Sequence, residues 1–172
     1  MTLGNADEGS EVRAHVSIAD AHFDVLLVGG GLANTLITLR LLSARPALRI
    51  CVLEQESGPA KSHTWSFFRT DVSAEIWAWL APLSTYRWQG YEVRFPQGAR
   101  VLATDYAALT SDGLRQAASR AVGPNLRCGA SAVHVEANQV TLADGEAVEA
   151  DRLALCAGAW FCLLYTSPSP RD

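Results

Sequence analysis

The pattern of apolar residues changes twice between residues 23 and 53. A continuous apolar run is followed by a segment with helical spacing, and a second continuous run follows that segment. The runs Asp24–Val28 and Arg49–Leu53 predict buried strands, since short continuous apolar runs are typical of parallel sheets. Between them, leucines recur every three or four residues across Leu32–Ala44, which predicts a helix that Arg45-Pro46 ends. A strand, a helix and a strand with short links predict a right-handed parallel βαβ unit.

Beyond residue 55 the pattern predicts shorter elements. Gln55–Thr70 is interpreted as a connecting region, and Ser73 as the N-cap of a short helix. A helix is predicted over Thr110–Val122, where Gly123-Pro124 ends it. Short strands are predicted at Tyr91–Phe95, Arg100–Ala103, Leu126–Cys128, Ala132–Glu136, Gln139–Leu142, Ala147–Glu149 and Arg152–Cys156, with a hairpin turn at Asp144-Gly145.

Aromatic residues are concentrated in one stretch, since nine of the fourteen lie between Trp65 and Phe95. One interpretation is a core-forming layer followed by a hairpin. The other is an aromatic wall along a cavity for a large apolar or electron-rich ligand. The fold class predicted from all these segments is α/β: a Rossmann-like βαβ core with an inserted aromatic region and a small antiparallel β-meander.

Composition narrows the class of protein. A hydrophobic fraction of 49% in 172 residues predicts a packed core, and a net charge of −4 argues against a nucleic-acid partner. No apolar run is long enough to span a bilayer, which leaves surface association with a membrane open. The four cysteines include no C-x-x-C pair, so we expect small buried thiols in a reducing compartment and no metal site.

The two ends of the chain differ from its middle. Residues 1–20 are polar and lack the basic start and apolar core of a secretory signal, so we interpret them as a flexible leader. Residues 21–158 are predicted to be one incomplete dinucleotide-binding domain. Residues 159–172 contain Ser-Pro-Ser-Pro, which cannot continue a strand or helix, and are interpreted as a non-native tail; a linker to another domain is the alternative.

The clearest candidate site is the glycine turn between the first strand and the first helix. Gly29 and Gly31 fill the first two glycine positions of G-x-G-x-x-G, and Asn34 stands at the third. Glu54 ends the second strand close to the offset, roughly 20 residues beyond the glycines, that is expected of the acid that binds a ribose hydroxyl. The combination predicts a dinucleotide site in which Gly29, Gly30, Gly31 and Glu54 take part. The alternative is a βαβ unit whose glycines only make a tight turn.

Six strings of the sequence belong together: Val28–Asn34, Leu53–Gln55, His63–Phe67, Trp79–Leu83, Trp88–Pro96 and Tyr106–Ser111. Over about residues 23–155 they resemble the lycopene β-cyclases of bacterial type, a flavoprotein family of carotenoid biosynthesis. The string His63–Phe67 is the most specific of them, because many flavoproteins share the glycine motif.

The resemblance implies a bound FAD, a linear carotene such as lycopene as substrate, and a cytoplasmic enzyme on a membrane surface. It implies acid-initiated, redox-neutral ring closure, with reduced flavin stabilising a cation and NAD(P)H as reductant. It places Gly29–Gly31 and Glu54 at the pyrophosphate and ribose, and the backbone of Val133 at the adenine. His63 and Trp65 are expected near the flavin or the substrate end.

This sequence also departs from the family pattern. Thr35 and Gly113 stand where glycine and arginine are usual, and Cys156–Trp160 replaces a turn that contains Asp and Arg. The segment with the proposed catalytic acid is absent, so we expect the chain alone to be inactive and leave its catalytic residues unassigned. Two other functions stay open: a flavin enzyme of the amine or amino-acid oxidase type, and a truncated dinucleotide-binding module without catalysis.

Overall fold

The computed structural model describes residues 22–58 and 62–156, so the predicted leader 1–20 and tail 159–172 lie outside the described residues. These ranges contain three helices, three short 3₁₀ turns and eleven strands. The helices are α1 (Leu32–Ala44), α2 (Ala74–Leu80) and α3 (Ser111–Val122). The strands are β1 (Phe23–Val28), β2 (Ile50–Glu54), β3 (Thr64–Phe68), β4 (Tyr86–Trp88), β5 (Tyr91–Phe95), β6 (Gly98–Leu102), β7 (Tyr106–Thr110), β8 (Leu126–Cys128), β9 (Ala132–Val135), β10 (Gln139–Leu142) and β11 (Ala147–Leu155).

A six-stranded sheet in the order β8-β2-β1-β11-β10-β9 forms the centre of the molecule. Its first four strands are parallel, with Leu26 of β1 paired to Cys51 of β2 and Leu153 of β11. The other two strands, β10 and β9, continue the sheet in antiparallel fashion. The predicted Rossmann-like α/β fold class, with a parallel βαβ core and an antiparallel β-meander, is therefore confirmed.

Both faces of the central strands are buried, which explains their continuous apolar runs. On one face Leu27, Ile50 and Val52 pack with leucines of α1 and with Val122 of α3. On the other face the side chains meet the apolar residues of the meander: Leu26, Val28, Cys51 and Leu53 pack with Val140, Leu142, Val148 and Ala150. This double cover makes β1 and β2 the rigid support for whatever lies at their carboxyl ends.

The aromatic region forms a second, three-stranded antiparallel sheet in the order β3-β7-β4, followed by the β5-β6 hairpin. One face of this sheet packs on the helices, with Trp65 and Phe67 beside Leu109, Leu114 and Leu80. The core-forming layer with a hairpin, one of the two interpretations of the aromatic stretch, is thus present. The sheet also fixes the start of β3 next to the start of α3.

The structure corrects several boundaries. The predicted connecting region Gln55–Thr70 contains β3, and the strands β4 and β7 were not predicted at all. The two strands predicted at Ala147–Glu149 and Arg152–Cys156 are one continuous strand, β11, because Ala150 pairs with Phe23 where the meander passes into the parallel sheet.

The cysteine prediction was wrong for two residues. Cys51 is buried as expected, but Cys128 and Cys156 are exposed. Both follow or end strands at the carboxyl edge of the sheet, where the chain leaves the core. Cys162 lies outside the described residues.

Candidate dinucleotide-binding site

The glycine turn has the geometry that a close approach of a ligand requires. Gly29 has a φ of 99°, in the left-handed region that favours glycine. A Cβ atom at Gly30 would lie 2.8 Å from Oε2 and 3.2 Å from Cβ of Glu54, so a side chain there would push the Glu54 carboxylate from its place. A Cβ at Gly31 would meet nothing within 4 Å, which leaves the end of the turn open.

Glu54 is held against this turn by backbone hydrogen bonds. The Gly30 N–H donates to its Oε2 at 2.7 Å, and the Glu56 N–H donates to its Oε1 at 2.9 Å. The carboxylate is therefore fixed beside the glycines before any ligand arrives. Each oxygen keeps further lone pairs, so the group can still accept a bond from a ribose hydroxyl.

Asn34, at the third position of the glycine motif, ties the helix to the strand. Its Nδ2 donates to the carbonyl oxygens of Val28 and Gly29, at 2.9 and 2.8 Å. The side chain is fully buried, and its Oδ1 has no hydrogen-bond partner among the described residues. Asn34 thus holds the carbonyls of the turn in place, a role that a glycine at this position cannot perform.

A cleft of about 180 Å³ opens where the first turns of two helices converge. The first turn of α1 contains no acidic residue and has no side-chain cap. Free N–H groups and the helix dipole make such a terminus favourable for an anion. The cleft is lined by Gly30, Gly31 and Leu32 from α1 and its turn, by Ser111, Leu114 and Arg115 from α3, and by Glu56, His63 and Trp65.

Arg115 supplies a cation that the sequence analysis missed. It projects into the cleft from the second turn of α3, and its Nη1 donates to the Gly58 carbonyl at 2.7 Å. At the position where an arginine was expected, Gly113, a Cβ would lie 2.8 Å from Thr85 Oγ1 and 3.1 Å from Thr110 Oγ1, so a side chain there would displace these hydroxyls. Helical spacing is the signal that could have found Arg115, since it follows Ser111 by four residues and shares its face.

His63 and Trp65, which the sequence analysis expects near the flavin or the substrate end, also line this cleft. The His63 backbone is held by Ser111, whose Oγ accepts from the His63 N–H at 2.8 Å. The Ser111 N–H in turn donates to the His63 carbonyl at 3.0 Å. The His63 and Trp65 rings lie 5.8 Å apart between centroids, with His63 exposed and Trp65 half-buried.

Val133 lies apart from the cleft. It is on β9, the outermost strand of the large sheet, and its side chain is 56% exposed. The loop before β9 nevertheless reaches the site, because the Ala130 N–H donates to the Glu54 carbonyl at 2.9 Å. A second cavity of about 320 Å³ is lined by residues 127–131 and 142–144. Glu54 therefore stands between the glycine turn on one side and the loop after β8 on the other.

Solved structures with the same fold include several oxygenases. The chain matches 2-methyl-3-hydroxypyridine-5-carboxylic acid oxygenase with a TM-score of 0.55 and 19% identity, over 75% of this chain and 38% of that one. It matches 2,6-dihydroxypyridine-3-hydroxylase from Arthrobacter nicotinovorans with a TM-score of 0.52 and 15% identity, over 76% and 36% of the two chains. These likenesses support the fold alone.

Sequence relatives are more informative. The chain is 44% identical over 125 residues to a lycopene beta-cyclase of Pseudescherichia vulneris, covering 73% of this chain and 32% of the relative. It is 43% identical over 127 residues to one from a Paracoccus species, covering 74% and 33%. The chain thus spans about a third of the length of the curated relatives it matches. Residues 24–162 match the family described as lycopene cyclase protein, and the chain belongs to that family.

Proposed function

We propose that this chain is the FAD-binding part of a lycopene β-cyclase. The observation that carries the proposal is the cleft in which the glycine turn, the first turns of α1 and α3, and Arg115 converge beside Glu54. The uncapped terminus of α1 and a guanidinium favour a pyrophosphate, and a fixed carboxylate next to them favours the neighbouring ribose.

The residues present fit such a cofactor. The open space at Gly31 leaves room for phosphate oxygens, and the N–H groups at the start of α1 would bind them with Arg115. Glu54 would accept hydrogen bonds from the adenosine ribose. Its charge would also disfavour a 2′-phosphorylated ribose. We assign the adenine to the side of the loop after β8, where the Val133 backbone remains the predicted contact.

His63 and Trp65 would lie at the flavin or the substrate end of the cofactor. When bound in its reduced form, FAD would supply the electron density that stabilises a substrate cation, and NAD(P)H is the proposed reductant. The half-buried Trp65 would restrict water at that end of the cleft. The backbone clamp between Ser111 and His63 would keep the His63 ring at a fixed position there.

The proposed reaction of the whole protein is the cyclisation of linear lycopene to carotenoids with β-ionone rings. An acid protonates the terminal alkene, the ring closes through a carbocation, and a proton is lost, without net electron transfer. The relatives' names support this substrate. We assign the acid to no residue of this chain, and expect the chain alone to be inactive. We further propose a cytoplasmic protein that associates with the membrane surface.

Titration of the purified chain with FAD, followed by flavin fluorescence, tests the cofactor proposal. We expect Glu54→Arg to weaken FAD binding at least tenfold, because it replaces the ribose acceptor with a cation and breaks the bond from the Gly30 N–H. Glu92→Gln, on the distant β5-β6 hairpin, is the matched control and should bind FAD normally. Equal affinities of the Glu54 and Glu92 variants would remove Glu54 from the site.

A chimera tests the cyclase proposal. Residues 24–156 of this chain would replace the aligned third of the Pantoea ananas lycopene beta-cyclase, which is 37% identical over 129 residues. In bacteria that accumulate lycopene, we expect the chimera to turn red cells orange or yellow. A folded, flavin-loaded chimera that leaves lycopene unchanged, or that releases hydrogen peroxide as an oxidase does, would contradict the proposal.

A further inference from the structure

The sheet of β3, β7 and β4 carries a row of aromatic rings on the face turned away from the helices. Trp65 and Phe67 point to the helices, so their neighbour Phe68 points to the opposite face. From Phe68 the rings follow one another across the strands and onto the hairpin. Centroid distances are 5.9 Å for Tyr86–Trp88, 5.4 Å for Trp88–Tyr106, 4.9 Å for Tyr106–Phe68 and 5.4 Å for Phe68–Tyr91.

Much of this region is open to solvent. Tyr86 is 54% exposed, Trp88 46%, Phe95 58% and Val101 76%. These four are a majority of the seven large apolar side chains exposed in the part of the chain that the structure describes, and the other three lie on separate elements. Scattered apolar residues are normal on a protein surface, whereas a concentration of them marks a contact with another partner.

The charges of the same segment are basic, although the chain as a whole is acidic. Residues 86–102 contain Arg87, Arg94 and Arg100 and a single acid, Glu92. Arg94 is paired with Glu92 at 2.9 Å. Arg87 and Arg100 are exposed and form no ion pair with any described residue. Asp105, just outside the segment, is the next acid along the chain.

We infer that this surface, formed by Tyr86, Trp88, Phe95 and Arg100, docks on an anionic lipid bilayer. Arg87 is not part of it, because alternation along β4 turns its side chain to the opposite face from Tyr86 and Trp88. Tryptophan and tyrosine prefer the membrane–water interface, because their rings are apolar and their N–H and O–H groups stay hydrated. Arg100, on the same hairpin face as Phe95, would bind lipid phosphates. An aromatic surface with a cation and no acid among these residues matches a bilayer better than a protein partner, whose contact would need complementary carboxylates.

The closed end of the β5-β6 hairpin is the part of this surface that would enter the membrane first. Phe95 pairs with Gly98 at the closed end of β5 and β6, so its exposed ring stands at the tip. Arg94 and Arg100 lie close to the same end, where they would meet headgroups as the ring enters the interface. No helix in the described ranges is long and apolar enough to cross a membrane. The inference rests on the proposed function in one respect: a lipid-soluble substrate would have to be taken up from the membrane.

Flotation of the purified chain with vesicles tests the inference. With vesicles of phosphatidylcholine and phosphatidylglycerol in a two-to-one ratio at low salt, we expect binding that Phe95→Ser and Trp88→Ser each weaken at least fivefold. Arg100→Gln should weaken it about fivefold on anionic vesicles and have little effect on pure phosphatidylcholine. Arg87→Gln, on the opposite face of β4, is the matched control for charge, and Ile37→Ser, 40% exposed on α1, is the matched control for an exposed apolar side chain; both should bind like the parent chain.

The outcomes separate this inference from the proposed function. No vesicle binding by the folded chain, or equal losses in Phe95→Ser and Ile37→Ser, would overturn the docking surface. Phe95→Ser lies at the hairpin tip, outside the three core clusters, so it tests the surface even if Trp88→Ser fails to fold. A chain that binds FAD but no vesicles contradicts only the docking surface. One that binds vesicles but no FAD contradicts only the cofactor site.

Discussion

Arg115 brings a positive charge to the cleft, although the arginine expected two positions earlier in α3 is absent. A side chain at position 113 of α3 would displace the Thr85 hydroxyl, whereas Arg115 reaches the cleft from the next turn. Its bond to the Gly58 carbonyl also ties α3 to the loop after β2. The guanidinium is therefore held in place before a ligand binds, which reduces the entropy lost on binding.

We predict that Arg115→Ala weakens FAD binding by one to two orders of magnitude. A charge-assisted hydrogen bond to phosphate contributes about 1.5–3 kcal/mol, and each 1.4 kcal/mol is a tenfold change in affinity. Arg120→Ala, on the exposed last turn of the same helix, is the control for a general loss of charge. If both variants bind FAD like the parent chain, Arg115 does not contact the cofactor.

Cys51 gives a second prediction at this scale, on pH and reactivity. Burial raises the pKa of its thiol from 9.0 to about 12, with Arg127 lowering it and Glu146 raising it by smaller amounts. The folded state therefore holds the proton more tightly than the unfolded state. Stability from this group is complete below pH 9 and declines between pH 9 and 12, by at most about 1.4 kcal/mol per pH unit.

Chemical denaturation at several pH values measures this decline, and Cys51→Ala should remove that part of the slope. Alkylation of the native chain at pH 8, with the modified residues located by peptide mass, should modify Cys128 and Cys156 but not Cys51. Fast modification of Cys51 in the native chain would show that the β1-β2 core opens readily.

Elements whose apolar residues recur at a regular spacing were predicted, and elements without such a spacing were missed. The bounds of α1 and the N-cap Ser73 follow the sequence prediction, because leucine spacing and a capping hydroxyl act locally. β4 has three residues that are all exposed, so no apolar pattern marks it. Two of the buried residues of β7 are alanines, which have low strand propensity. This segment forms a strand because it pairs with β3 on one side and β4 on the other.

The meander depends on one ion pair between elements distant in the sequence. Arg127 of β8 forms two hydrogen bonds to the Glu146 carboxylate at the β10-β11 turn, one of them at 2.9 Å. Both side chains are about four-fifths buried, and the bond raises the pKa of Arg127. The pair connects the parallel edge of the sheet to the turn of the meander beside the second cavity.

We predict that Arg127→Met lowers the free energy of unfolding by about 1–3 kcal/mol, because it leaves the largely buried Glu146 carboxylate without its partner. The exposed pair Arg40–Glu75 is the control, and Arg40→Met should cost less than about 1 kcal/mol. Urea denaturation of Arg127→Met, of Glu146→Gln and of the double variant gives the coupling energy, with Arg40→Met measured beside them. A coupling near zero would mean that packing, and not the ion pair, holds the turn.

At the scale of the whole molecule, the site was predictable where it depends on local motifs and unpredictable where it depends on topology. Gly29–Gly31, Glu54, His63 and Trp65 carry recognisable strings, and the fold brings them to one edge of the sheet. The approach of α3 to that edge depends on the pairing of β3 with β7, two strands far apart in the sequence, which no local pattern reveals. Helical spacing places Arg115 on the same face of α3 as Ser111, but only that pairing shows that this face meets the cleft.

The position of β11 has a consequence for how the chain folds. β1 is a central strand, and β11 completes one of its edges through the pairing of Phe23 with Ala150. β1 is the first described element to be synthesised and β11 is the last. One edge of the apolar strand β1 therefore stays unpaired until all the other described elements have been made. Such long-range closure is slow and exposes a strand to wrong partners. Folding yield, more than final stability, should therefore be the property most sensitive to changes in β11.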